Sequence, residues 1–162
     1  MILPIRLYGD PILRKNCKEI NIFDDNIYLF IHDMFDTMYQ NNGVGLAAPQ
    51  VGKNLRVFVI DTSLFELPCK RVFINPEIVK IYGKTWKVKE GCLSFPYFIT
   101  KIERYEFLKI KYYNEYMKKC EETFQGFESR VIQHEFDHIE GKLFIDYFKR
   151  ELLAKDKKIY FF

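Results

Sequence analysis

His134-Glu135-Phe136-Asp137-His138 places two of the chain's three histidines one helical turn apart. On an α-helix, residues i and i+4 project from one face, so both imidazoles can reach a single metal ion. Glu135, beside the first of them, then stands where it can take the proton of an attacking water. The plainer alternative is a polar, half-exposed helix that binds nothing. Two histidines are half a site, because a catalytic centre of the zinc type uses three protein ligands and keeps one position open. Downstream, only Glu140, Asp146, Glu151 and Asp156 carry carboxylates. His32, among Phe30, Ile31, Asp33 and Met34, has no partner at metal spacing. Among the cysteines, Cys92 stands out in Glu90-Gly91-Cys92-Leu93-Ser94, where Gly91 permits close backbone approach and Ser94 offers a local hydrogen bond.

The elements that must hold these groups follow from hydrophobic period. Ile27, Phe30, Ile31, Met34 and Met38 recur at helical spacing, with Asp24 and Asp25 at the positive end, and predict a helix over residues 24–40. Asn41-Asn42-Gly43 then tolerates the left-handed geometry that ends it. Residues 55–60 read as a buried strand, followed by strands over 71–75, 78–82 and 84–89, and by a half-wet strand over 107–113. A second long helix over residues 124–139 carries both histidines and stops at Gly141. Leu143-Phe144-Ile145 reads as packed extended chain, and residues 149–158 as a charged surface helix. Strands in sequence without intervening helices favour antiparallel pairing. The expected fold class is α+β, with antiparallel β-sheets packed around a central helix bearing the metal motif, in one domain over residues 1–162.

Composition narrows the function classes. At 162 residues, 48% hydrophobic, the chain is long and apolar enough to bury one core. The net charge of +3 is spread over short clusters such as Lys118-Lys119 and Lys157-Lys158, which predicts no direct nucleic-acid substrate. Charged residues interrupt every apolar run, so no membrane span is expected. Met1-Ile2-Leu3-Pro4-Ile5-Arg6 lacks the order of a signal peptide, and the four cysteines form no CxxC pair. Reduced thiols in a cytoplasmic protein are the expectation. Gly43, Gly45 and Ala48 match the spacing of a dinucleotide-binding turn, but a helix precedes them and Pro49 follows, the reverse of the context that turn needs.

Three segments taken together, GVGLAAPQ (43–50), EGCLS (90–94) and QHEFDH (133–138), resemble the signature motifs of the peptide deformylases of bacterial and organellar type, in the same order. Ile74-Asn75-Pro76-Glu77 and the stretch from Gly141 to Asp146 extend the resemblance over most of the chain. It implies one divalent metal ion per chain on Cys92, His134 and His138. Ferrous iron is the implied ion in the cell, with zinc or nickel able to occupy the same ligands. It further implies hydrolytic removal of the formyl group from the N-terminal formyl-methionine of nascent polypeptides, releasing formate. Glu135 would act as base and then acid, with the Leu93 backbone N–H and the Gln50 side-chain amide meeting the oxyanion. Val44, Phe127 and Val131 are candidate walls of a methionine slot, with ordinary core packing the alternative for each. Gly45 would offer backbone hydrogen bonds to an extended peptide. Glu90, Asp137 and Arg104 are candidates to orient the ligands. The implied partners are formylmethionyl nascent peptides, in a bacterial cytoplasm or an organellar matrix; the tail Ile159-Tyr160-Phe161-Phe162 is a candidate to cover an apolar patch or to dock on the ribosome or another partner. One departure is Ile99, near which many relatives carry a basic residue.

Three other readings remain open at this level. A zincin-like endopeptidase lacks a convincing downstream ligand. A structural metal site has no use for a carboxylate beside its ligand. A thiol hydrolase built on Cys92 and a histidine would work without metal.

Overall fold

Val, Ile and Phe dominate the middle of the chain, and there the backbone is extended. A computed structural model describes residues 1–65 and 69–147. Its strands are β1 (Gly45–Ala47), β2 (Val57–Asp61), β3 (Lys70–Cys92), β4 (Phe95–Tyr113) and β5 (Lys119–Gln125). Every neighbouring pair is antiparallel and the spatial order is the sequence order. The antiparallel α+β layout is as expected, although among the described residues the strands form one five-stranded sheet rather than several.

The three strands expected between residues 71 and 89 are a single strand, β3. What reads in sequence as turn punctuation is absorbed as irregularities of register, at Ile74/Glu77, Ile78/Lys80 and Tyr82/Thr85. Asn75 (φ 49°) and Gly83 (φ 88°) supply the left-handed backbone that such bulges use. β4 likewise extends the expected strand at 107–113 back to Phe95. Strand β5 overlaps the expected start of the second helix at Phe124 and Gln125, and its first five residues carry no expected element. Gly126, at φ 64°, makes the break, so the helix begins two residues later than its apolar pattern suggests.

The two helices are α1 (Asp25–Gln40) and α2 (Gly126–Ile139). Asp24 caps α1, its carboxylate accepting from the Ile27 N–H at 3.1 Å. Alternation along β2 assigns the helices to opposite faces of the sheet. Val57 and Val59 pack with Ile31, Met34, Phe35 and Met38 of α1. Phe58 and Ile60 pack with Val131, Ile132 and Ile139 of α2, joined by Phe73, Leu108 and Ile110 from β3 and β4. Phe58 stacks on Phe73 with centroids 4.7 Å apart, and truncating such a residue costs about 3–5 kcal/mol. Ten of the fourteen residues of α2 are buried, polar ones included, which removes the reading of a half-exposed polar helix.

A third apolar cluster, of Leu13, Cys92, Phe95, Ile102, Leu143 and Phe144, closes the end of the β3–β4 ribbon. Phe144–Tyr147 is a 3-10 turn rather than extended chain, because Asp146 folds back to accept the Leu143 N–H at 3.1 Å and is gripped by Arg14. The helix expected over 149–158 lies outside the described residues. Among the described residues no helix is long and apolar enough to cross a membrane.

Candidate metal centre and active site

Cys92 is the last residue of β3, and the two-residue turn Leu93-Ser94 follows before Phe95 pairs back with it. His134 and His138 point from one face of α2 toward that turn. His138 Nε2 lies 3.2 Å from His134 Nε2 and 3.4 Å from Cys92 Sγ, and all three residues are buried. Metal–nitrogen bonds of about 2.05 Å and a metal–sulfur bond of about 2.3 Å at tetrahedral angles place nitrogens about 3.3 Å apart and nitrogen from sulfur about 3.6 Å. The observed separations are close to those edges, so the donor set fits one metal ion.

Protonation supports that fit. Burial pushes the His134 imidazole below its usual value, and burial with the neighbouring His134 pushes His138 well below it, so both rings are neutral, the form that ligates. Burial pushes the Cys92 thiol up. A cation among these atoms reverses that preference, because thiolate charge is then neutralised in place. His138 Nδ1 has no hydrogen-bond partner among the described residues.

Glu90, two residues before Cys92 on β3, is fully buried and accepts from His134 Nδ1 at 2.9 Å. Arg104 of β4 binds the same carboxylate through two nitrogens at 3.0 Å each, and its third nitrogen donates to Asp137 at 2.8 Å. Burial alone would push the Glu90 carboxyl up; Arg104 and the His134 bond overcome this and hold it at about 2. Glu90 is therefore ionised and acceptor-only. The His134 proton is then on Nδ1, and Nε2 faces Cys92 and His138 with its lone pair.

Glu135 is buried and neither of its carboxylate oxygens has a hydrogen-bond partner among the described residues. Burial pushes its carboxyl well above the usual range. Gly45 of β1 lies against it: a methyl group at Gly45 would come within 2.7 Å of Glu135 Oε1. Gln50, in the 3-10 turn Ala48–Val51, accepts from the Ala47 N–H through Oε1 at 2.9 Å. Its amide nitrogen is thereby aimed at the centre, 3.5 Å from Cys92 Sγ and 3.3 Å from Ser94 Oγ.

A groove of about 530 Å³ runs beside α2, lined by Trp86 and Val88 of β3 and by Gly126, Phe127 and Arg130. Phe127 thus borders open space, whereas Val44 and Val131 are in the apolar core. Ile99 is buried. His32 stands on the exposed face of α1, 3.8 Å from Asp36. Sequence reasoning passed over two residues. Arg130 is buried and donates to Glu90, and Tyr147 donates to Asp137 at 2.8 Å while its ring covers the Arg104 guanidinium. Arg130 was readable in principle, one turn before His134 on the buried face of α2. Tyr147 carried no signal of its own.

An antiparallel sheet that brings a strand-end thiol to two helical imidazoles, beside an unpartnered carboxylate, is the arrangement of a metal-dependent hydrolase. The profile of the polypeptide deformylase family matches residues 2–153. A peptide deformylase of Karelsulcia muelleri is 51% identical over 147 residues, 90% of this chain and 78% of that protein. One from Thermotoga maritima is 47% identical over 154 residues, 93% and 92% of the two chains. The crystal structure of peptide deformylase from Thermotoga maritima superposes with a TM-score of 0.85, covering 93% of this chain and 99% of that one. The Legionella pneumophila peptide deformylase structure gives 0.86 at 41% identity, covering 92% and 87%. The chain belongs to the polypeptide deformylase family. Its reaction is hydrolytic removal of the N-formyl group from the N-terminal formyl-methionine of newly synthesised polypeptides.

Proposed function

We propose that Cys92 at the end of β3, with His134 and His138 on α2 as the central helix of the catalytic machinery, holds the metal ion of this deformylase, and that Glu135 moves the protons. The observation that carries this reading is the pairing of three converging donor atoms with one buried carboxylate that has no hydrogen-bond partner among the described residues. When bound, a divalent ion there supplies a Lewis acid that activates water and polarises the formyl carbonyl. Glu135, whose carboxyl burial alone pushes up, would be ionised beside a bound cation; it takes a proton from the attacking water and returns it to the departing amine nitrogen. Gln50 Nε2, aimed by its own Oε1, and the Leu93 backbone N–H in the turn beside Cys92 donate to the developing oxyanion. Glu90, itself held by Arg104, keeps the His134 ring in place, and Asp137 holds Arg104.

Among the described residues strand β1 pairs with β2 alone, so its other edge can receive an extended peptide at Gly45. The methionine side chain enters the groove bordered by Phe127, with Val44 and Val131 backing that side from the core. One thiolate and two imidazoles accept ferrous iron, zinc or nickel, and we assign ferrous iron as the ion in the cell. Substrates reach the enzyme as they leave the ribosome, in a bacterial cytoplasm or an organellar matrix, and residues 1–162 work as one domain.

The test is Glu135→Ala. The variant keeps one metal ion per chain and loses formate release from a formyl-Met peptide by about 10²-fold or more, the usual range for a general base. Full activity in that variant would remove Glu135 from the mechanism.

A further inference from the structure

We propose that Arg130 is a positioning residue: from α2 it pins Glu90 of β3, and so fixes His134 relative to Cys92 for capture of the metal ion. Arg130 is the bulkiest fully buried side chain among the described residues, only 1% exposed. It donates to Glu90 Oε2, to the Ile102 carbonyl at 3.0 Å and to the Trp86 carbonyl at 2.6 Å. Its guanidinium lies 4.5 Å from the centre of the Trp86 ring. Its Nε has no hydrogen-bond partner among the described residues.

Stability alone does not account for this arginine. A buried ion pair is commonly replaced by apolar residues of similar volume at no loss, and here one buried donor is left over. Glu90 already has a cation in Arg104, but Arg104 is divided between Glu90 and Asp137. Arg130 brings the set to two carboxylates, one of them fully buried, and two buried guanidiniums.

The geometry gives the second cation its task. Glu90 Oε1 holds His134 Nδ1, and Glu90 Oε2 takes Arg130. Arg130 and His134 are i and i+4 on α2, so one carboxylate of β3 is gripped at two successive turns of one helix. Two residues further along β3 is Cys92. The same contact that orients the His134 ring therefore sets the spacing between the strand that brings the thiol and the helix that brings both imidazoles. Arg104 also links Glu90 to Asp137 of α2, but from a third element, β4, and at the far end of the helix from Arg130. Trp86 packs on the guanidinium of Arg130, and both border the groove beside α2.

This inference rests on the reading of Cys92, His134 and His138 as metal ligands, and the experiment separates the two. Wild-type, Arg130→Met, Arg130→Lys and Cys92→Ala chains are stripped of metal. Zinc affinity is then measured by competition with a chromophoric chelator, and unfolding of the apoproteins is followed by emission of Trp86, the single tryptophan. Arg130→Met is expected to lower zinc affinity tenfold or more, as loss of a ligand-orienting partner does. Arg130→Lys recovers part of it, since charge returns without the fork. If both Arg130 variants bind zinc within twofold of wild type while Cys92→Ala does not, the positioning role is wrong and the metal site stands. If Cys92→Ala also binds like wild type, the metal-site reading itself falls. Should apo Arg130→Met not unfold cooperatively, Arg130→Lys decides: a threefold or greater loss supports the role, and affinity within twofold overturns it.

Discussion

Gly45→Ala separates what the fold needs from what the chemistry needs. The glycine sits in strand β1 at a backbone angle open to any residue, so alanine carries no conformational penalty there. The added methyl would meet Glu135 Oε1 at 2.7 Å, Cγ at 3.0 Å and Cδ at 3.1 Å. Ordinary contact begins at 3.4 Å, so the carboxylate must retreat by about 0.7 Å. The carboxylate is the end of a side chain with no hydrogen bond to break, and the stability cost is therefore small, below about 1 kcal/mol. The catalytic cost is not, because a misplacement of about 1 Å at a reacting group is worth about 10²-fold. Scaled to the smaller shift, formate release from a formyl-Met peptide falls about 30-fold, or about 2 kcal/mol of barrier. The loss is in kcat, with KM little changed, because the methyl points at Glu135 and leaves the open edge of β1 clear. Metal content, thermal unfolding and steady-state kinetics on the same preparation make the check. Activity within threefold of wild type would refute the argument that the Glu135 position limits the reaction. So would loss of the fold or the metal, which would mean that something other than Glu135 gives way.

Two further outcomes follow from the geometry. Gln50→Leu removes an oriented donor while keeping the side chain's bulk, and kcat/KM is expected to drop by about 10²-fold with metal binding retained, measured by formate release and elemental analysis. At the far end of the sheet, burial raises the Glu122 carboxyl, and hydrogen bonds from Arg71 and Tyr112 more than offset this, so that its value is lowered. A lowered carboxyl stabilises the fold at pH above its ordinary 4.5 and loses that contribution as pH falls through its folded value. Glu122→Gln is thus expected to be less stable at neutral pH by about 0.5–1 kcal/mol, a figure limited by solvent screening of a partly exposed pair. The difference from wild type shrinks toward zero in acid. Denaturant titrations at pH 7 and pH 3 read it, and a difference that persisted at pH 3 would remove the charge as its cause.

The site was legible in sequence to the extent that its chemistry is local. The HExxH spacing is a property of one helix, and the helix itself announces its period through Val131, Ile132 and Ile139. Gln50, Cys92 and Glu90 were found through motifs whose meaning lies in how three distant segments meet, and residue pattern alone left Cys92 as one option among several. Arg130 escaped because a charged residue one turn from a histidine reads as solvated surface until its burial is seen. The fold shows the same division. α1 was bounded to within one residue because its cap, its period and its end are all local signals. The long β3 reads in sequence as three strands because Pro76 and Gly83 look like turns, and only pairing with β4 makes them bulges. The end of β5 reads as the start of α2 because Phe124 fits either the period of the helix or the alternation of the strand, and Gly126 settles the matter through a backbone angle that composition does not reveal.

Glu135 sits in the apolar interior with both oxygens unpartnered among the described residues, a position where an unsatisfied polar group costs about 1–3 kcal/mol. Selection for thermal resistance alone would therefore replace it with an apolar residue and gain a sturdier chain. The residue survives only where the lineage is paid in growth for what the carboxylate does. A survey of stabilised descendants of this chain would thus find its engine at the weakest point of its architecture, with durability and usefulness drawn from the same few cubic ångströms.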